Sequence, residues 1–155
     1  TLNHSLCKTL SFFCAGSVGQ AYGTHDMRRI REVMRVSPVW GIGLAGSLLA
    51  LIGVAPFSLF LSEFMILKAA VDGGALAAAA VFLLGLGIVF VGALGHVMAM
   101  IWDPAPASPA PHRATALDTV IVLGSLAVIL ALGLWMPAAL SDVIRQAARV
   151  IGGAP

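Results

Sequence analysis

Charged side chains are scarce in this chain of 155 residues. Asp, Glu, Lys and Arg together make up 10% of the sequence, whereas apolar residues make up 59%. Soluble domains carry about 25% charged residues. So few charges cannot cover a water-facing globule, so the composition excludes an ordinary soluble domain and predicts an integral membrane protein. The net charge of +2 is too small to indicate a nucleic-acid partner.

Cysteine is also scarce, which limits both disulfides and metal sites. Cys7 and Cys14 lie on one predicted helix, where their spacing places the two Cα atoms about 10 Å apart. A disulfide needs Cα atoms within about 7 Å, so these two cannot bridge within the helix. Other Cys or His residues at ligand spacing are lacking, so the sequence predicts no metal site. The glycines precede no Gly-Lys-Ser/Thr sequence, which excludes a phosphate-binding loop.

Long apolar stretches dominate what is present. Predicted helices cover about 2–22, 38–72, 75–102 and 115–136, and about 20 apolar residues suffice to cross a bilayer. A further segment, 138–151, has apolar residues at helical spacing with charges off that stripe. It is typical of a short amphipathic helix on the membrane surface. We therefore predict an all-α membrane protein with a single domain over 1–155.

The segment 38–72 is too long for one straight crossing. A helix from Val39 to Val71 would reach about 50 Å, against a hydrocarbon core of about 30 Å. Gly53 and Pro56 predict an interruption near 53–57, because proline removes a backbone donor and clashes with the preceding turn. The segment is therefore either two crossings or one discontinuous helix.

The densest cluster of charged residues lies between the first two apolar stretches. Residues 25–35, which we call the arginine loop, contain four arginines, and the positive-inside rule predicts that they are cytoplasmic. If 38–72 crosses once, the loop at 103–114 lies on the same side as the arginine loop. If it crosses twice, that loop lies on the opposite side.

Three ionisable residues lie inside the apolar stretches, namely His4, Lys8 and Glu63. Placing such a group in a bilayer costs roughly 2.5–3.5 kcal/mol on insertion scales, and these residues usually mark ion paths or proton relays. His4 and Lys8 are one helical turn apart, so a proton could pass between them. Alternatively, Lys8 extends its amine to the membrane surface, and Glu63 forms a structural pair with another helix.

The surroundings of Glu63 predict partial desolvation. Phe60, Phe64 and Leu67 lie near it in the sequence, so we expect these side chains to flank the carboxylate. A helix that restarts near Ser58 would direct its positive N-terminal end toward this region, which favours an anion.

The roles of the remaining ionisable residues are predicted from their neighbours in the sequence. His96 lies inside the span 75–102, where it either relays protons or bonds to a neighbouring helix. Lys68 is expected to pair with Asp72 one turn on. His25 and His112 are in predicted loops and are expected to be solvated.

Two motifs resemble a known family. Asn3-His4-Ser5-Leu6-Cys7-Lys8 resembles the His-x-x-x-Lys helix of antiporter-like subunits, which occur in NADH:quinone oxidoreductase, Mrp-type sodium/proton antiporters and group 4 membrane-bound hydrogenases. Gly53-Val54-Ala55-Pro56, followed by Phe60-Leu61-Ser62-Glu63-Phe64, is similar to the interrupted helix of that family. The likeness runs from about residue 2 to 102. Glu63 resembles the formate-hydrogenlyase-like and complex I middle-subunit versions of the family, and the residues around it resemble the hydrogenase-type proteins.

The resemblance implies a fold and a topology. The family fold is a bundle of two inverted repeats, each with one discontinuous helix, and this chain resembles its C-terminal part. It would supply four transmembrane crossings, with 38–72 as one discontinuous helix and the arginine loop on the cytoplasmic side. By the same resemblance, Lys8 is the relay lysine, His4 its neighbour and Glu63 the ionisable residue of the interrupted helix.

The resemblance also implies a function. We expect a proton-translocating subunit, without a redox centre or other cofactor, that relays protons through His4, Lys8, Glu63 and His96. Its partners would be other membrane subunits of a respiratory or hydrogenase complex, the lipid bilayer, and protons or sodium ions. Its place would be the inner (plasma) membrane, as a multi-pass protein. The alternatives are a sodium/proton antiporter subunit and a purely structural subunit, in which Lys8 and Glu63 tolerate neutral substitution.

Overall fold

The computed structural model describes residues 2–104, 112–135, 142–143 and 146. The described part contains no strand, only the six helices α1 (Leu2–Tyr22), α2 (Val33–Val36), α3 (Pro38–Leu51), α4 (Ser58–Asp72), α5 (Leu76–Trp102) and α6 (Ala116–Leu134). The amphipathic helix predicted over 138–151 lies largely outside the described residues. The all-helical fold is confirmed for the part that the structure describes.

Local chemistry accounts for where the helices begin and end. Pro38 occupies the first turn of α3, where the missing N–H of proline would have no partner in any case. Thr115 caps α6: its hydroxyl accepts from the N–H of Asp118 at 3.2 Å, and the Asp118 carboxylate accepts from the N–H of Thr115 at 2.8 Å. Gly74, with φ +73°, follows α4 and turns the chain into α5.

The core forms where α1, α3 and α6 meet. Gly43 lies against Cys14 Sγ of α1 and Val122 Cγ1 of α6, which occupy the space that a side chain would need. Ser11 Oγ donates to Ser47 Oγ at 2.9 Å, which ties α1 to α3 within this core. Small residues allow close approach of membrane helices. The buried apolar residues of the cluster are Cys7, Leu10, Cys14, Val18, Ile30, Val33, Trp40, Leu44, Ala50, Met100, Val122 and Ile129.

The segment 38–72 leads away from the arginine loop, and α5 returns to it. Arg31 Nε lies 3.9 Å from a carboxylate oxygen of Asp103, at the end of α5. The N–H of His112 donates to the carbonyl of Val36 at 2.8 Å, just before α6 begins. The end of α5, the start of α6 and the arginine loop therefore share one end of the bundle.

Two described helices, α5 and α6, are long and apolar enough to cross a membrane. Few of their residues are buried, and large apolar side chains of α5 such as Val81, Leu84 and Ile88 are exposed. A core helix of a soluble protein would instead be mostly covered. The exposed apolar surface fits a helix that contacts lipid or other membrane helices. The total of four crossings stays a prediction.

Candidate functional site

The chain is interrupted between α3 and α4, over residues 52–57. Gly53 takes a left-handed conformation with φ +75°, and the Ala55–Pro56 peptide bond is cis. The N–H of Val54 donates to the carbonyl of Leu49 at 3.1 Å, and the N–H of Phe57 to that of Val54 at 3.0 Å. These bonds hold the non-helical segment in a defined shape where Gly53 and Pro56 predict a break.

The carboxylate of Glu63 lies directly against this interruption. Glu63 is in the second turn of α4, and its carboxylate occupies the space that a Cβ atom on Gly53 would fill. The Oε2 atom is buried and has no hydrogen-bond partner among the described residues. Gly53 therefore serves two purposes, since it supplies the positive φ and leaves room for the carboxylate.

Phe60 and Phe64 stack on each other with ring centroids 6.2 Å apart, and both side chains are exposed. The Glu63 carboxylate lies against the backbone of Gly53. That Phe60, Phe64 and Leu67 flank the carboxylate stays a prediction.

His4 and Lys8 lie on α1 at the level of the interruption. The pairs Ser11–Ser47 and Cys14–Gly43 show that α1 and α3 run antiparallel. Continuing that register toward the start of α1 places His4 level with Gly53. Both side chains are on the exposed side of α1, and Lys8 Nζ lies 5.8 Å from the ring centroid of Phe12. Within the described residues, no ion pair joins Lys8 to Glu63.

Other buried polar atoms collect near the interruption. Besides Glu63 Oε2, the Oδ1 atom of Asn3 and the Oγ atom of Ser58 are buried and find no hydrogen-bond partner in the described part of the chain. Asn3 precedes His4 on α1, and Ser58 begins α4. A buried polar atom without a partner costs about 1–3 kcal/mol, and such atoms cluster at functional sites for that reason.

His96 lies at the other end of the bundle. Its Nδ1 atom lies 2.8 Å from the carbonyl of Gly92, on the same helix, so the predicted bond to a neighbouring helix is not the one formed. The 14 residues of α3 separate the arginine loop from the interruption by about 20 Å. The structure therefore brings Glu63 to the level of His4 and does not bring His96 to them.

A cavity of about 700 Å³ opens beside His96 at the arginine loop, lined by His25, Asp26, Met27, Arg28, Arg31, Val91, Gly92, Gly95, His96, Ala99 and Met100. Hydrogen bonds from Arg28 hold the pKa of Asp26 below its usual range. Asp26 therefore stays ionised and paired at neutral pH, which makes it a poor proton carrier. His25 lines this cavity, which its loop position in the sequence does not indicate.

The predicted pair at the end of α4 is confirmed. Lys68 Nζ donates to Asp72 Oδ2 at 2.5 Å, and both side chains are exposed. Cys7 and Cys14 are buried free thiols. Within the residues that the structure describes, no three His, Cys, Asp or Glu side chains are grouped closely enough to hold a metal ion.

Comparison with known proteins decides the family. The family model described as the transmembrane region of NADH:quinone oxidoreductase and Mrp antiporter proteins matches residues 1–90. That stretch includes His4, Lys8, the interruption and Glu63. The chain belongs to this family. His96 lies beyond the matched residues, in agreement with its separate place in the fold.

Individual relatives agree with this assignment. The chain is 36% identical over 67 residues to a hydrogenase-4 component F homolog from Methylacidiphilum infernorum, and these residues cover 43% of this chain and 14% of that protein. It is 27% identical over 128 residues to NADH-quinone oxidoreductase subunit N from Myxococcus xanthus, covering 82% of this chain and 24% of that protein. It is 38% identical over 74 residues to subunit L from Rickettsia typhi, covering 47% of this chain and 11% of that protein. The chain thus spans less than a quarter of the length of these relatives.

Proposed function

We propose that this chain is the proton-relay part of a membrane subunit in an NADH:quinone oxidoreductase-like or hydrogenase-type complex. The observation that carries the proposal is the carboxylate of Glu63, which is held against Gly53 at an interrupted helix and has one buried oxygen without a partner among the described residues. Ionisable groups at membrane depth usually mark ion or proton paths. Interrupted helices are tolerated there only where protein or water covers the freed backbone groups.

Glu63 is the group that takes up and releases the proton in this proposal. A carboxylate accepts a proton on one oxygen and then donates it onward. The Oε2 atom of Glu63 has no hydrogen-bond partner among the described residues. It can therefore accept that proton without breaking an existing hydrogen bond. The fixed shape of residues 52–57 keeps the carboxylate in one position, which a relay requires because proton transfer needs partners within hydrogen-bond reach.

His4 and Lys8 continue the relay on α1. They lie at the level of the interruption, where Asn3 and Ser58 add buried oxygens without a hydrogen-bond partner among the described residues. Water bound to such oxygens can bridge gaps that side chains do not close. Lys8 serves as the positive charge on this path.

The proposed topology follows from the shared end of the bundle. The arginine loop is cytoplasmic by the positive-inside rule, and the end of α5 and the start of α6 lie beside it. With α3 and α4 as one discontinuous crossing, the chain would cross four times as a multi-pass protein of the inner (plasma) membrane. Its partners would be the other membrane subunits of the complex and the surrounding lipid.

The test is proton uptake by inverted vesicles that contain the full-length parent complex, with electron transfer followed in the same samples. Glu63→Gln and Lys8→Ala are expected to reduce the rate of proton uptake by about a hundredfold, in line with the loss of a positioned acid–base group. Lys68→Ala is the matched control, because Lys68 is an exposed lysine in a surface pair, and it should pump normally.

The other outcomes separate the alternatives. If Glu63→Gln and Lys8→Ala assemble and pump like the unchanged complex, the residues are structural and the relay proposal is wrong. If transport stops in both variants but in the unchanged complex depends on sodium rather than on protons, the chain is a sodium/proton antiporter subunit. The carried ion would then be exchanged through the same residues.

A further inference from the structure

The ring of His25 lies against α1, although the residue as a whole is exposed, as its loop position predicts. Its imidazole atoms Cε1 and Nδ1 occupy the space that a Cβ atom on Gly19 would need. The turn that follows α1 brings it back, with the N–H of Thr24 donating to the carbonyl of Gly19 at 3.1 Å. Because Gly19 has no side chain, the ring can pack against the last turns of α1.

This position places His25 on the wall between two cavities. The outer cavity, of about 700 Å³, also contacts His96 and the arginine loop. The inner cavity, of about 240 Å³, extends between α1 and α3 and is lined by Ser11, Phe12, Ala15, Val18, His25, Met27, Ile30, Leu44, Leu48 and Met100. His25, Met27 and Met100 line both. The imidazole is the titratable group that the two linings share.

One lining residue of the inner cavity is a neighbour of Lys8. Phe12 lines the cavity, and Lys8 Nζ lies 5.8 Å from the centre of that ring. Ser11, also in the lining, donates to Ser47, which in turn donates to the carbonyl of Leu44 at 3.2 Å. The lining thus contains a hydroxyl and an imidazole, and the rest of it is mostly apolar.

We propose that His25 passes protons between the outer cavity at the arginine loop and the inner cavity, whose lining includes a neighbour of Lys8. The inference rests on the proposed relay function and adds its connection to the cytoplasmic side. An imidazole accepts a proton at one ring nitrogen and releases one from the other, so each transfer leaves the ring neutral again. His25 is the proton-transfer residue at the mouth of the path, and Gly19 positions it.

The groups around His25 suit this role. Asp26 is held ionised by Arg28, and Arg31 donates to the carbonyls of Met27 and Ile30. Both carboxylate and guanidinium groups are therefore engaged and keep their charge. His96, across the outer cavity, bonds within its own helix. Of these groups, His25 is the one that lines both cavities and can change its protonation state.

The test compares His25→Phe, His25→Ala and His112→Phe in the parent complex, in vesicles where pumping and electron transfer are both measured. Phenylalanine keeps a ring against Gly19 but carries no proton. We expect His25→Phe to assemble and to lose pumping by about tenfold or more. His112→Phe, another loop histidine that is exposed, should pump normally. Added imidazole should restore His25→Ala, which leaves room for it, and not His25→Phe.

Glu63→Gln in the same series distinguishes a failure of the His25 proposal from a failure of the proposed relay through Glu63. Normal pumping by His25→Phe while Glu63→Gln stops would overturn the role of His25 alone. Failure of imidazole to restore an assembled His25→Ala would do the same. If Glu63→Gln also pumps normally, the proposed relay is wrong, and the role of His25 falls with it.

Discussion

Gly53→Ala is expected to destabilise the subunit by about 1–2 kcal/mol and to stop proton transport in the complex that still assembles. An L-residue at φ +75° costs about 1–2 kcal/mol. The new methyl group would also occupy the place of the Glu63 carboxylate, which lies at the end of a flexible side chain and can rotate aside. The carboxylate must move away, so the relay is broken even where the fold survives.

Gly74→Ala is the matched control for that substitution. Gly74 has nearly the same backbone conformation, φ +73°, and nothing lies within 4 Å of its added Cβ atom among the described residues. It should therefore show the conformational cost alone and leave transport intact. The measurements are the midpoint of thermal dissociation of the parent complex and the protons moved per electron. Equal effects of the two alanines on transport would contradict a specific contact between Gly53 and Glu63.

Gly133→Ala is expected to separate α6 from the interrupted segment and to cost about 3 kcal/mol or more. A Cβ atom at this position would meet the carbonyl oxygen of Pro56, and would lie 2.7 Å from the Ser58 nitrogen and 2.9 Å from the Phe57 carbonyl carbon. These are backbone atoms, which cannot rotate aside as a side chain can. The whole interruption, and Glu63 with it, must shift away from α6.

Gly124→Ala, on the same helix, should stabilise the subunit rather than destabilise it. Nothing among the described residues lies within 4 Å of its added Cβ atom, and alanine favours a helix over glycine by up to about 1 kcal/mol. The comparison uses assembled subunit and thermal dissociation of the parent complex. If Gly133→Ala is as stable as Gly124→Ala, α6 does not support the interruption as the structure describes.

The helix bounds could be read from the sequence because they rest on local chemistry. Apolar runs, the Gly53 and Pro56 pair and the glycines after Asp72 act within a few residues of their own position. α4 begins at Ser58 and α1 ends at Tyr22, as predicted.

The direction of the site residues could not be read in the same way. Whether Glu63 faces its own phenylalanines or Gly53 depends on how α4 turns against α3, which is set by contacts between residues distant in sequence. The position of His25 depends likewise on Gly19. The sequence around a glycine inside a helix does not indicate which side chain packs against it. Motif spacing identifies ionisable residues, and tertiary packing decides which of them meet.

Infrared difference spectroscopy of the parent complex can show whether Glu63 gains and loses a proton during turnover. Spectra would be recorded in membranes as the redox centres of the complex are reduced and reoxidised, for the unchanged complex and for Glu63→Gln. We expect a carboxylic C=O band that changes with turnover, shifts in heavy water and is missing from Glu63→Gln. An identical set of carboxylic bands in Glu63→Gln would rule out the proposed relay through Glu63, because Glu63 would then keep one protonation state throughout.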